Sequence, residues 1–97
     1  MRTLLRIKID TETGNRAVER GDIQRAFMDL AEKIHPEAAY FLPTDGQRSA
    51  IFVFDMQDSA ALPSIVEPLF RTLNASVELS PVMNLDDLRK GLASVGL

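Results

Sequence analysis

Two cations and two carboxylates could do chemistry together. Arg6 and Lys8 are two residues apart, the spacing that puts both side chains on one face of a strand. Asp55 and Glu78 lie in later stretches with the same alternating pattern. If all four share a sheet face, two outcomes stay open. They neutralise one another as Arg6–Glu78 and Lys8–Asp55, or the two cations anchor a small anionic ligand with Tyr40 as a hydroxyl donor. Glu67 is a separate candidate, beside a helical apolar stripe and just before Pro68. Proline has no N–H, so the Ser64 carbonyl loses its helical donor, and a pocket is expected there. The competing reading pairs Glu67 with Arg71 one turn on.

Other candidates are thinner. His35 is the only histidine; it is a general base or ligand if it has a partner. Otherwise it is a residue complementing the end of a helix before Pro36. Ser49, Ser59, Ser64, Ser76, Ser80 and Ser94 all lack the Gly-x-Ser-x-Gly context of a nucleophile elbow. Asp86 and Asp87 look like a metal pair but open a helix, whose dipole they complement. Met28, Met56 and Met83 read as core fillers. No phosphate-binding glycine loop or EF-hand loop occurs. No motif assigns a catalytic residue, a metal or a cofactor, and enzyme and binding protein both stay open.

Composition bounds the rest. The 97 residues suit one domain, with 45% hydrophobic and 26% charged residues, ordinary globular proportions. Zero cysteines exclude disulfides and thiolate sites, and one histidine excludes a three-histidine zinc centre. The net charge of −3 disfavours nucleic acid and anionic membrane as partners. Charges interrupt the first ten residues before a signal-peptide core forms, so a cytoplasmic location is expected.

The elements that position these residues follow from periodicity. Residues 3–10 alternate as a strand. Asn15 is a candidate helix cap, Gly21 a break, and Asp22 a second cap opening a helix over 22–34 with Ile23, Phe27, Leu30 and Ile34 buried. Residues 38–42 and 49–56 are strands joined at Asp45-Gly46, a tight-hairpin signal that sets Tyr40 opposite Ile51 and Phe41 opposite Ala50. Asp58 or Ser59 starts a helix carrying Leu62, Ile65, Leu69 and Leu73; residues 77–82 form a fourth strand. Asn84, with Asp87, caps a last short helix.

The order βαββαβα is the α+β, ferredoxin-like split βαβ arrangement, with an antiparallel sheet ordered 4-1-3-2 and helices on one face. The other face should be polar. Instead Tyr40, Leu42, Ile51 and Val53 gather there, which predicts a homodimer joined sheet to sheet.

The runs Pro36-Glu37-Ala38-Ala39-Tyr40-Phe41, Phe52-Val53-Phe54-Asp55, Glu67-Pro68-Leu69-Phe70 and Pro81-Val82-Met83-Asn84 resemble those of a widespread group of short bacterial proteins. More loosely the chain is similar to the dimeric α+β barrel superfamily. That resemblance implies a homodimer with paired sheets and, as in some members, a small-molecule pocket per subunit. It carries over no catalytic residue. The functional expectation is a homodimeric small-molecule binding protein, isomerase-like, oxygenase-like or accessory; the alternative is a dimerisation module without ligand.

Overall fold

Alternation builds the first strand. In β1 (Arg2–Ile9), Thr3, Leu5, Ile7 and Ile9 are buried while the residues between them are not. A computed structural model describes the whole chain, Met1–Leu97. Asp10 then turns the chain directly into α1 (Thr11–Arg20), its carboxylate accepting the Thr13 N–H at 2.9 Å. The expected cap at Asn15 is therefore displaced: Asn15 lies inside α1. The helical turn expected before Gly21 is present, but its true start escaped detection because the helix buries only Gly14 and Ala17, too small to print an apolar stripe.

Gly21, at φ 76°, ends α1 and opens α2 (Asp22–Ile34). Asp22 is the first residue of α2 rather than its cap, and its carboxylate meets Arg25 at 3.0 Å. His35 and Pro36 end α2 as expected.

The hairpin joins β2 (Ala38–Thr44) to β3 (Gln47–Asp55), with Asp45 and Gly46 both at positive φ, 53° and 75°. That pair of dihedral signs is the type I′ turn whose twist matches the strands. Ala39 faces Phe52, Tyr40 faces Ile51 and Phe41 faces Ala50, as predicted. Asp58 caps a single 3-10 turn, Ser59–Ala61, that leads into α3 (Leu62–Leu73). β4 (Ser76–Pro81) returns beside β1, giving the antiparallel order β2-β3-β1-β4 of the ferredoxin-like split βαβ fold.

Both edge strands contain a proline. Val82 N–H donates to the Arg2 carbonyl at 3.1 Å, so the next pair, Pro81 with Thr3, falls at a non-hydrogen-bonded position. By the same alternation from the hairpin turn, Pro43 opposite Arg48 also has its nitrogen directed away from the sheet.

Helices α1, α2 and α3 cover one face. Leu5, Ile7, Ile9, Ala50, Phe52 and Phe54 of the sheet meet Ala17, Leu30, Ile34, Ile65, Leu69 and Leu73 of the helices. Each such large side chain contributes roughly 1.5–3 kcal/mol on burial. Ile23 and Phe27 are only half-buried; Phe27 stacks against Phe41 at 5.4 Å and Phe52 at 5.9 Å at the less covered β2 edge. Met28 and Met83 are exposed, not core: Met28 lies one residue round the helix from Phe27, and Met83 precedes the last helix.

That last helix, α4 (Leu85–Ser94), stands apart. A full capping box between Asn84 and Asp87 defines its start, yet none of its residues is buried. The chain measures 53 × 28 × 17 Å with a radius of gyration of 15.2 Å. A compact chain of this length would have a radius of roughly 12–13 Å. The short dimension accommodates the sheet and one helical layer, so α4 extends the long one.

Candidate functional site

The open face of the sheet can be read in rows across β2, β3, β1 and β4. Alternation and register place Ala38, Val53, Leu4 and Ser80 in one row; Tyr40, Ile51, Arg6 and Glu78 in the next; Leu42, Ser49, Lys8 and Ser76 in the third. Ile51 and Arg6 form a non-hydrogen-bonded pair, the type that brings side chains closest. The predicted interface residues Tyr40, Leu42, Ile51 and Val53 therefore do share this face, and Tyr40 is 65% exposed.

The four charges do not form one cluster. Lys8 sits opposite Ser49 near the hairpin, whereas Asp55 sits opposite Arg2, six residues back along β1. At the rise of a strand that is about 20 Å, so the expected Lys8–Asp55 pair is excluded. Lys8 instead donates to Asp45 of the turn at 2.7 Å, which holds the Asp45 carboxyl below its ordinary pKa. Asp55 accepts from the N-terminal ammonium at 2.6 Å and is lowered by it. Arg6 and Glu78 face each other in register as predicted, yet they form no ion pair.

A depression of about 420 Å³ opens around these residues, lined by Arg6, Lys8, Asp45, Ser49, Ile51 and Glu78. Its chemistry is mixed. An unpaired guanidinium with five donors, an ammonium already shared with Asp45, serine hydroxyls and one facing carboxylate surround an apolar floor. Tyr40 ends the row of Ile51, Arg6 and Glu78 on β2 and does not line it.

The sequence reading missed the charge centre at the other end. Arg2 donates to Glu37 at 2.7 Å and also to Asp87, bridging the sheet to the first turn of α4. Glu37, and then Asp87, raise the Arg2 pKa against the opposing effect of desolvation. Asp87 also serves the capping box, and Asp86 pairs with Arg89 and with Lys90 at 3.1 Å, which lowers its pKa. These partners account for both carboxylates of the apparent metal pair. Arg2 opens the alternating run, and that position on the Arg6–Lys8 face was the available signal.

Glu67 lies in the helical layer and pairs with Arg71 at 3.6 Å, the structural alternative of the two. The Ser64 carbonyl freed by Pro68 is not open: Lys33 of α2 donates to it at 2.7 Å. A cavity of about 210 Å³ does lie between α2 and α3, lined by Leu30, Lys33, Ile65, Pro68 and Leu69, but Glu67 is outside it. His35 occupies the left-handed C-cap of α2.

Neither the protein-family models nor the curated proteins compared with the chain show a match.

Proposed function

We propose that the chain works as a homodimer of the dimeric α+β barrel type, joined through its open sheet face, and that it binds a small anionic molecule between the sheets. The observation that carries this reading is the depression holding Arg6 and Lys8, with Arg6 free of any carboxylate partner. A guanidinium without an ion pair beside a dry contact is costly to enclose unless an anion meets it. Leu4, Val53, Ile51 and Tyr40 would supply the contact, and Arg6 and Lys8 the recognition. A ligand-free dimerisation module is favoured by one fact only: Lys8 already has Asp45.

Light scattering at roughly tens of micromolar tests the assembly, and a monomer mass refutes it. Thermal shift with citrate, phosphate and benzoate as probes tests the site, since only a ligand bound to the native state raises the melting temperature. Arg6→Ala should abolish the stabilisation while the dimer persists. A stabilisation by the same probe that is unchanged in Arg6→Ala would refute the site.

A further inference from the structure

Helix α4 presents Leu85, Leu88 and Leu92 at helical spacing, followed by Val95 at its C-cap, and all four are exposed, Leu85 by 82% and Val95 by 70%. A ten-residue helix with no buried residue is marginal in water, and the interior Gly91 weakens it by about another 1 kcal/mol. Its start is nevertheless firmly built, by the Asn84–Asp87 capping box and by Arg2 reaching Asp87 from the open side of the sheet. These contacts aim the helix outward from the end of its own domain. At 17 Å, the thickness of the chain leaves no layer in which α4 covers its own open face.

One chain thus carries two uncovered apolar surfaces that it cannot bring together. We propose that α4 is an exchanged arm, its leucine stripe packing against the open sheet face of a second copy of the chain. This rests on the face-to-face dimer proposed above. A two-fold axis satisfies both surfaces at once, because each arm meets the sheet of the other copy. Area supports the same occupant. Four strands spaced about 4.8 Å apart and on average about 25 Å long make a face of about 480 Å² in projection. Stable interfaces take about 800 Å² from each partner, so the sheet alone falls short and an arm about 15 Å long adds contact where it is needed. The apolar row of Val53 and Leu4 lies between Arg2 and Arg6, next to the ligand depression, so the partner's arm would wall that site.

The test is a pair of substitutions on the full chain, Leu88→Ser with Leu92→Ser, measured by light scattering over a dilution series. Since α4 buries no residue in its own domain, the monomer fold should survive, as circular dichroism will show. The proposal expects the dimer to weaken about 100-fold. An unchanged dimer constant overturns the arm and leaves the sheet-to-sheet dimer standing; a monomeric wild type overturns both. Hydrogen exchange on the unaltered protein is the second measurement. Amides of α4 should be protected above the dimer constant and lose protection on dilution, and equal exchange at both concentrations overturns the proposal.

Discussion

The contact between Lys33 and the Ser64 carbonyl can be dissected because its cause is known. In a regular helix the N–H of residue 68 would donate to that carbonyl, but Pro68 has none, and the Lys33 ammonium takes its place at 2.7 Å. A hydrogen bond contributes about 0.5–1.5 kcal/mol net, more when charged. Lys33 is solvent-exposed, so about 1 kcal/mol is the appropriate scale. Lys33→Met keeps most of the side-chain stem and should cost that much. In Pro68→Ala the backbone N–H returns and fills the carbonyl itself, so adding Lys33→Met should then cost below about 0.5 kcal/mol. The cycle predicts a coupling of about 0.5–1 kcal/mol. Urea unfolding of the four proteins at one fixed concentration reads it; with a slope near 1.5 kcal/mol per molar, the first substitution moves the midpoint by about 0.7 M. If the two changes add within about 0.3 kcal/mol, Lys33 is not substituting for the missing donor.

Gly21→Ala should lower stability by about 1–2 kcal/mol through backbone strain at φ 76°, since only the end of Arg25 approaches a new Cβ, at 4.0 Å. A differential melting curve should fall by about 4–8 °C per kcal/mol, and an unchanged melting temperature would show that the junction relaxes freely. Acid should destabilise the fold in a defined direction. Asp10, Asp45, Asp55 and Asp86 all have lowered pKa values in the folded chain, Asp10 chiefly through the Thr13 backbone N–H. Their contribution is complete above the unfolded aspartate pKa, about 3.9, and is lost as pH falls through the lower folded values. Urea midpoints should therefore hold steady down to about pH 5 and then drop; a midpoint that rises on acidification would contradict the assignment.

The sheet was legible because its signals are local and redundant. Alternation along β1 and the Asp45-Gly46 turn define the register, and the register places Tyr40 against Ile51 and Arg6 against Glu78. What escaped is of two kinds. The first turn of α1 buries only small residues, so hydrophobic periodicity has nothing to detect, and Asp10 reads equally well as the end of a strand or a cap. Long side chains are the second kind. Lys8 reaching back to Asp45, Lys33 crossing to Ser64 and Arg2 spanning Glu37 and Asp87 depend on side-chain reach and on how the layers sit. Spacing along the chain does not specify these. The candidate site inherits this split: Arg6, Lys8 and Glu78 come together because register places them, whereas Asp55 and Glu67 do not join them.

The edge prolines carry a consequence for behaviour at high concentration. An edge strand normally offers a row of free N–H and C=O groups on which another chain can add, and repeated addition yields fibres. In β2 and β4 the outward nitrogens of Pro43 and Pro81 have no hydrogen to give, so a docking strand meets an interruption on either flank while no internal ladder bond is lost. Open-ended polymerisation along the sheet is thereby disfavoured from both sides. Association through the broad face is left unimpeded, and face-to-face pairing closes after two copies. The same residues that make the strands poorer as edges make the protein safer to accumulate.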